Sequence, residues 1–258
     1  MTTTDEYLAF AHLLADEAGN VLRRHFRQST PAESKEDGSP VTVADREAEA
    51  AMRVLIRQRY PEHGIFGEEW SRENINAPLQ WVLDPIDGTR AFMAGYPTFT
   101  TLIALCENGV PVAGVIDQPY LKERWVGNTV MPHSLRHLPQ DGGRPRNECG
   151  VTIATTSLTC FTAAQAAAFA RATAGHTVVH GGDAYAYAML CDGHLSAVID
   201  AGFKPYDFCA LAPVVQAAGG VITDWQGNPL TINSSGEVVA ARDAEVHGQL
   251  LRALKHVL

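Results

Sequence analysis

Trp81-Val82-Leu83-Asp84-Pro85-Ile86-Asp87-Gly88-Thr89-Arg90-Ala91-Phe92 is the segment from which the rest of the chain can be read. Trp81 to Leu83 is an apolar run of strand character, so Asp84 falls at the end of a buried strand. Pro85 forces a turn, and Asp87 returns three residues after Asp84. Two carboxylates so placed face one small volume, where both ionised they repel strongly. A hard divalent cation such as Mg²⁺ removes that repulsion and takes oxygen ligands. The Ile86 carbonyl, between the two acids, is a further oxygen donor. Gly88 and Thr89 open onto a short helix start, whose N–H groups can hold a phosphate. The glycine lets the backbone approach closely. Either acid alone reads as a turn residue or a helix cap. The whole string does not, because a cap needs only one acid.

Around this segment, Thr3-x-x-Glu6 reads as a capping box. Behind it Tyr7, Phe10, Leu14, Ala18, Val21 and Phe26 recur at helical spacing, predicting a helix over 4–27. Residues 28–40 carry turn formers and predict a mobile loop. A second helix follows Thr42 and ends before Pro61. Short apolar runs at 81–83, 100–106, 110–116 and 124–126 read as strands, with Asn108-Gly109 as a hairpin turn. Neighbours joined so tightly are antiparallel. Composition shifts near 132–150, which divides the chain into halves at 1–145 and 146–258. The second half alternates: a strand at 151–154, helices at 162–174 and 184–191, a strand at 195–199, a helix at 208–218 and a strand at 221–223. Pro213 lies inside that last helix and is expected to kink it.

The chain has 258 residues, 29 Asp+Glu against 20 Lys+Arg for a net charge of −9, and a 46 % hydrophobic fraction. That suits one large domain or two tightly packed halves with a real core. The acid excess argues against a nucleic-acid partner, and no Lys/Arg block points to a membrane surface. There is no apolar run of about 18 residues to span a membrane. The N-terminus lacks signal-peptide character. Five scattered cysteines without a CxxC read as free thiols in a reducing cytoplasm. His133 and His137 read as surface residues.

Motifs for dinucleotides, NTPases, serine hydrolases and zincins are absent. Acids two apart, as in D-x-D-x-T aspartyl phosphatases, are not found in the central segment, where the spacing is three. Two more acidic sites join it. Gly67-Glu68-Glu69-Trp70 follows Ile65-Phe66 at a strand end, and Tyr206-Asp207 stands where a helix begins. Taken singly, these acids also read as turn carboxylates and as an N-cap. Glu68-Glu69, Asp84 to Thr89, and Tyr206-Asp207 followed by a helix ending Ala218-Gly219-Gly220 together resemble the signature segments of the inositol monophosphatase superfamily, in order over about 35–230.

The resemblance implies an α/β (α+β layered) fold: an alternating αβαβα sandwich of the inositol monophosphatase/fructose-bisphosphatase type. The N-terminal half then carries an antiparallel sheet and the C-terminal half a mixed one. It also implies a lithium-sensitive phosphomonoesterase that uses two or three Mg²⁺, is a homodimer and hydrolyses small phosphate esters. Glu68, Asp84 and the Ile86 carbonyl match the ligands of a first Mg²⁺; Asp84, Asp87 and Asp207 match those of a second. Glu68 would also help hold a third. Gly88-Thr89 matches the phosphate cradle. Asp45 and Thr89 match the pair that orients the attacking water, although Thr42-x-x-Asp45 is also a capping signal. Lys35 matches the mobile loop over the site.

The flank departs from inositol-specific members, which read D-G-T-x-N-F where this chain has Asp87-Gly88-Thr89-Arg90-Ala91-Phe92. Thr89 to Leu105, Gly181 to Tyr187 and Gly202 to Asp207 are similar to the histidinol-phosphate phosphatase branch. Histidinol phosphate carries an ammonium and an imidazole, and Asp183 and Asp200 fall where the family lines its pocket, within reach of such cations. Asp183 also reads as a helix cap, and Asp200 as an acceptor for polyol hydroxyls. Two alternatives stand beside histidinol phosphate: an inositol 1-phosphate phosphatase, and a non-catalytic accessory protein of an RNA or transcription complex.

Overall fold

The protein is described from a computed structural model covering residues 3–28, 32–34, 40–129, 136–138 and 150–255. The boundary at 145/146, Lys35, His133 and Cys149 lie outside those residues.

The first half contains α1 (Thr3–His25), β1 (Ala32–Ser34), β2 (Pro40–Thr42), α2 (Val43–Arg59), β3 (Gly64–Gly67), β4 (Leu79–Asp87), α3 (Thr89–Ala94), β5 (Thr100–Glu107), β6 (Val110–Gln118), β7 (Glu123–Asn128) and β8 (Arg136–Leu138). The second contains β9 (Thr152–Thr155), α4 (Ala163–Ala172), β10 (Thr177–His180), α5 (Asp183–Cys191), β11 (Ala197–Asp200), α6 (Pro205–Phe208), α7 (Leu211–Ala217), β12 (Val221–Thr223), β13 (Val238–Ala241) and α8 (Ala244–Lys255). Part of the expected loop at 28–40 is ordered: β1 and β2 pair as an antiparallel ribbon.

Two sheets alternate with three layers of helix. The six-stranded sheet runs β3-β4-β5-β6-β7-β8. It is antiparallel, as expected, except for the parallel β3–β4 pair. The five-stranded sheet runs β10-β9-β11-β13-β12 and is mixed. α1 and α2 bury Leu14, Ala18, Leu22, Ala48, Met52 and Ile56 against one face of the first sheet. α5 and α7 fill the space between the sheets with Tyr187, Leu190, Leu211 and Val214. α4 and α8 cover the outer face of the second sheet with Phe169 and Leu250. The αβαβα sandwich is the observed architecture.

The hairpin at Asn108-Gly109 forms because both residues adopt positive φ, 50° and 82°, the geometry that matches strand twist. The expected helix at 208–218 is split into α6 and α7 around Cys209-Ala210. Pro213 therefore sits in the first turn of α7, where its missing N–H removes no intrahelical bond, and it does not kink a helix interior. The split also seats α7 flush on the first sheet. A side chain at Gly114 or Gly127 would strike the backbone of Ala210 or Pro213.

The cross-strand pair Asp117 and Arg124 ties the first sheet to α1. Arg124 donates to Asp117 at 2.6 Å, to Asp16 at 2.7 Å and to the His12 carbonyl at 3.3 Å, and its Nη1 lies 3.1 Å from the His12 ring. Arg23 caps the Pro119 carbonyl nearby at 3.2 Å. The Asp117 Oδ2 is buried and takes no hydrogen bond among the described residues. Burial outweighs Arg124 and pushes the Asp117 carboxyl up to about 6. A carboxyl raised on folding contributes stability below its unfolded pKa near 3.8, and that contribution is lost as pH rises through about 6. Melts of wild type and Asp117→Asn from pH 4 to 7 should therefore show the variant gaining on wild type, by up to about 3 kcal/mol. A gap that does not change with pH contradicts the assignment.

Candidate metal and phosphate site

Residues three apart on a regular strand point to opposite faces, yet Asp84 and Asp87 share one. The cause is a bulge. Asp84 pairs with Leu102 and Asp87 with Thr100, so β4 spends three residues where β5 spends two. Pro85, which has no N–H to offer a ladder, stands inside that bulge, and its carbonyl accepts from Thr101 at 2.9 Å. The spacing that marked the motif in the sequence is the bulge read as text.

The second half delivers the third acid. Asp207 lies in α6, and its Oδ2 accepts the Lys204 N–H at 2.6 Å. One carboxylate oxygen from each of Asp84, Asp87 and Asp207 falls within 4.8 Å of the others. Asp84 is 2 % exposed. Asp87 is tied across to the second half, its Oδ2 accepting the Ala184 N–H at 2.6 Å from the first turn of α5. Burial, and after it the charges of Glu68, Asp87 and Asp207, push Asp84 well above the usual carboxylate range. Asp87 is raised likewise, by burial and then by Asp183 and Asp207. Burial brings Asp207 to about 7, against the pull of its bond to Lys204.

Three acids that resist ionising together, all offering oxygen, fit a hard divalent cation. The Asp84 Oδ1, buried and without a hydrogen bond among the described residues, fits the same reading. Glu68 follows β3 and is next to Asp84, whose pKa it raises, but it lies outside the tight triplet. The Ile86 carbonyl accepts the Thr89 hydroxyl at 3.0 Å.

Asp45 is the capping residue that its sequence allowed, and it also lies beside Thr89. Its Oδ2 completes the capping box of α2, accepting the Thr42 N–H at 2.7 Å and hydroxyl at 2.6 Å. Its Oδ1 faces Thr89, with the hydroxyl 3.5 Å away. The single Thr89 proton serves Ile86 or Asp45, one at a time. Burial raises the Asp45 carboxyl, which its bonds to Thr42 partly offset.

Gly88 has φ 81° and caps α3. A Cβ there would come within 2.7 Å of the Asp183 Oδ2, so only glycine lets the two segments meet. Asp183 starts α5 at φ 45°, left-handed backbone that a non-glycine residue adopts at a cost. Burial raises its carboxyl, and exposed Arg90 pulls the other way.

Asp200, expected to line the pocket, is buried behind Tyr187, within the field of Asp183. It is 1 % exposed at the end of central strand β11. Its oxygens accept from the Thr156 N–H at 2.7 Å, the Tyr187 hydroxyl at 3.0 Å and the Thr155 hydroxyl at 3.1 Å. A carboxylate so enclosed braces α5 against β9.

The reading from sequence missed Glu49 and Arg53 of α2, an ion pair at 2.8 Å with side chains 0 % and 2 % exposed. They grip the backbone beyond β3. The signal was present: opposite charges four apart, beside the apolar stripe of Ala48, Met52 and Ile56. Removing one partner from such a pair costs roughly 3–5 kcal/mol.

Comparison with known proteins agrees with this fold. The family model described as the inositol monophosphatase family matches residues 3–258. The chain belongs to that family and is a phosphatase of its class. It is 42 % identical to the bifunctional phosphatase IMPL2, chloroplastic, of Arabidopsis thaliana, over 98 % of this chain and 76 % of that protein. It is 31 % identical to a histidinol-phosphatase of Chlorobaculum parvum, over 90 % and 91 %. It is 30 % identical to the Nus factor SuhB of Escherichia coli K12, over 93 % and 96 %. The solved structure of an inositol monophosphatase from Zymomonas mobilis superposes with a TM-score of 0.87 at 41 % identity, covering 99 % of this chain and all of that one.

The cluster makes a stability prediction. Asp84→Asn should raise the melting temperature of the metal-free protein, because it removes one of three mutually repelling carboxylates. Mg²⁺ should raise the melting temperature of wild type, and Asp84→Asn should abolish that rise. A variant that keeps the full Mg²⁺-dependent rise contradicts the ligand assignment.

Proposed function

We propose that the protein is a Mg²⁺-dependent phosphomonoesterase whose preferred substrate is histidinol phosphate. The observation that carries the activity is the meeting of Asp84, Asp87 and Asp207 within 4.8 Å, beside the Asp45–Thr89 pair. Glu68, Asp84, Asp87, Asp207 and the Ile86 carbonyl are the groups that would hold the cations. Bound there, divalent cations supply positive charge for the phosphate oxygens and Lewis acidity for a water nucleophile.

The chain's own groups do the rest. The N-terminal amides of α3, at Gly88 and Thr89, cradle the phosphate. Thr89 and Asp45 orient the attacking water. Asp45 receives its proton through the Thr89 hydroxyl, a task suited to a carboxyl that burial has raised. Gly88, held against Asp183, keeps the cradle at a fixed distance from the acids. A net charge of −9 does not oppose an anionic substrate in this reading, because the site acids are matched by cations. Buried free thiols at Cys106, Cys191 and Cys209 favour a reducing compartment such as the cytoplasm. Among the described residues no helix is long and apolar enough to cross a membrane.

The substrate choice rests on Asp183. Its carboxylate stands at the rim of the cradle, within the field of Arg90, where it can meet a cationic leaving group. The name of the Chlorobaculum parvum relative supports that choice. The Zymomonas mobilis structure, described as an inositol monophosphatase, supports inositol 1-phosphate as the second reading.

Two measurements decide. Phosphate release with Mg²⁺ should favour histidinol phosphate over inositol 1-phosphate, fructose 1,6-bisphosphate and adenosine 3',5'-bisphosphate. A tenfold preference for inositol 1-phosphate in kcat/KM overturns the substrate choice. Asp84→Asn should lower kcat/KM by far more than tenfold. Retention of over a tenth of wild-type kcat/KM, a loss of only about 1.4 kcal/mol, overturns its role.

A further inference from the structure

The acids of the cluster differ in what holds them. Asp84 and Asp87 are fixed by the bulge of β4, and Asp207 by its own cap on α6. Glu68 stands on a turn beside Asp84, to which its side chain is hydrogen-bonded. The segment Gly67-Glu68-Glu69-Trp70 leaves β3 with the Glu68 N–H bonded to the Leu83 carbonyl at 3.2 Å. The next two amides are gripped from α2.

The grip is specific. The Glu49 carboxylate accepts the Glu69 N–H at 2.8 Å on one oxygen and the Trp70 N–H at 3.2 Å on the other. Arg53 donates Nε to Glu49 at 2.8 Å and Nη2 to the Trp70 carbonyl at 3.0 Å. Its Nη1 is held by Glu73 at 2.6 Å. Gly67 admits this arrangement because any side chain there would collide with the Glu49 carboxylate. A wholly buried carboxylate thus spends its hydrogen bonds on two successive amides, one and two residues past Glu68, and on the arginine that grips the same turn.

We propose that Glu49 is a positioning residue: locked by Arg53, it sets the Gly67–Trp70 turn and through it the aim of Glu68 at the cations. The inference rests on the reading of Glu68 as a ligand given above. A partner that orients a ligand changes metal affinity, whereas a purely structural ion pair changes stability alone.

The test uses the full chain and Mn²⁺ as the probe, with binding measured by titration calorimetry. Glu49→Gln keeps the shape but loses one acceptor oxygen. It should weaken Mn²⁺ binding by about tenfold or more. The Mg²⁺ concentration for half-maximal phosphate release should rise in parallel, with kcat at saturating Mg²⁺ within about threefold of wild type. In a Glu68→Gln background the same substitution should change Mn²⁺ affinity by less than about twofold, because the ligand it aims is gone.

A lower melting temperature with unchanged Mn²⁺ affinity overturns the proposal. So does an equal loss of affinity in the Glu68→Gln background. If Glu68→Gln alone leaves Mn²⁺ affinity unchanged, the ligand reading fails and the proposal falls with it. If Glu68→Gln weakens binding and Glu49→Gln does not, only the positioning role fails. Should Glu49→Gln not fold, Arg53→Lys, which keeps the charge but loses the fork, is held to the same criteria. Failure of both to fold overturns the proposal, because the pair then serves the fold.

Discussion

Three carboxylates held within 4.8 Å repel one another, and burial of Asp84 strengthens that repulsion by removing water. A chain selected only for stability would separate them or replace one. Here each is held from behind. The β4 bulge turns Asp84 and Asp87 to one face, the Ala184 amide fixes Asp87, and the Lys204 amide fixes Asp207. The cluster is a region of strain that the rest of the fold supports, as expected where function opposes stability.

The layering explains how that support is delivered. Neither sheet carries all three acids. β4 belongs to the first sheet, and α6 belongs to the half built around the second. They meet because α5 and α7 fill the space between the sheets and α7 lies flush on β6 and β7 at Gly114 and Gly127. The helix break at Cys209-Ala210, which gives Pro213 its place, also ends α6 just past Asp207. Packing between the halves therefore brings the site together.

Much of this was legible in the sequence because the deciding signals are local. Apolar period placed α1, α2 and the strands β4 to β7. Asn108-Gly109 placed their hairpin, and the three-residue acid spacing marked the cluster. What escaped was set by tertiary contact. β10 and β13 escaped although they are no shorter than β9 and β11, which the sequence placed. The parallel β3–β4 pair needs a partner distant in sequence. The partners of Asp200, Thr155, Thr156 and Tyr187, come from other elements and are not written in its own segment. The four-residue spacing of Glu49 and Arg53 shows that they can pair, but not that the Gly67–Trp70 turn buries them.

The account stands on cations occupying the space between Asp84, Asp87 and Asp207. Anomalous diffraction from crystals grown with Mn²⁺ tests that claim most directly. The account predicts strong anomalous peaks bounded by these three carboxylates, with Glu68 beside them. Crystals that diffract well, contain Mn²⁺ and show no peak among the three acids would contradict it.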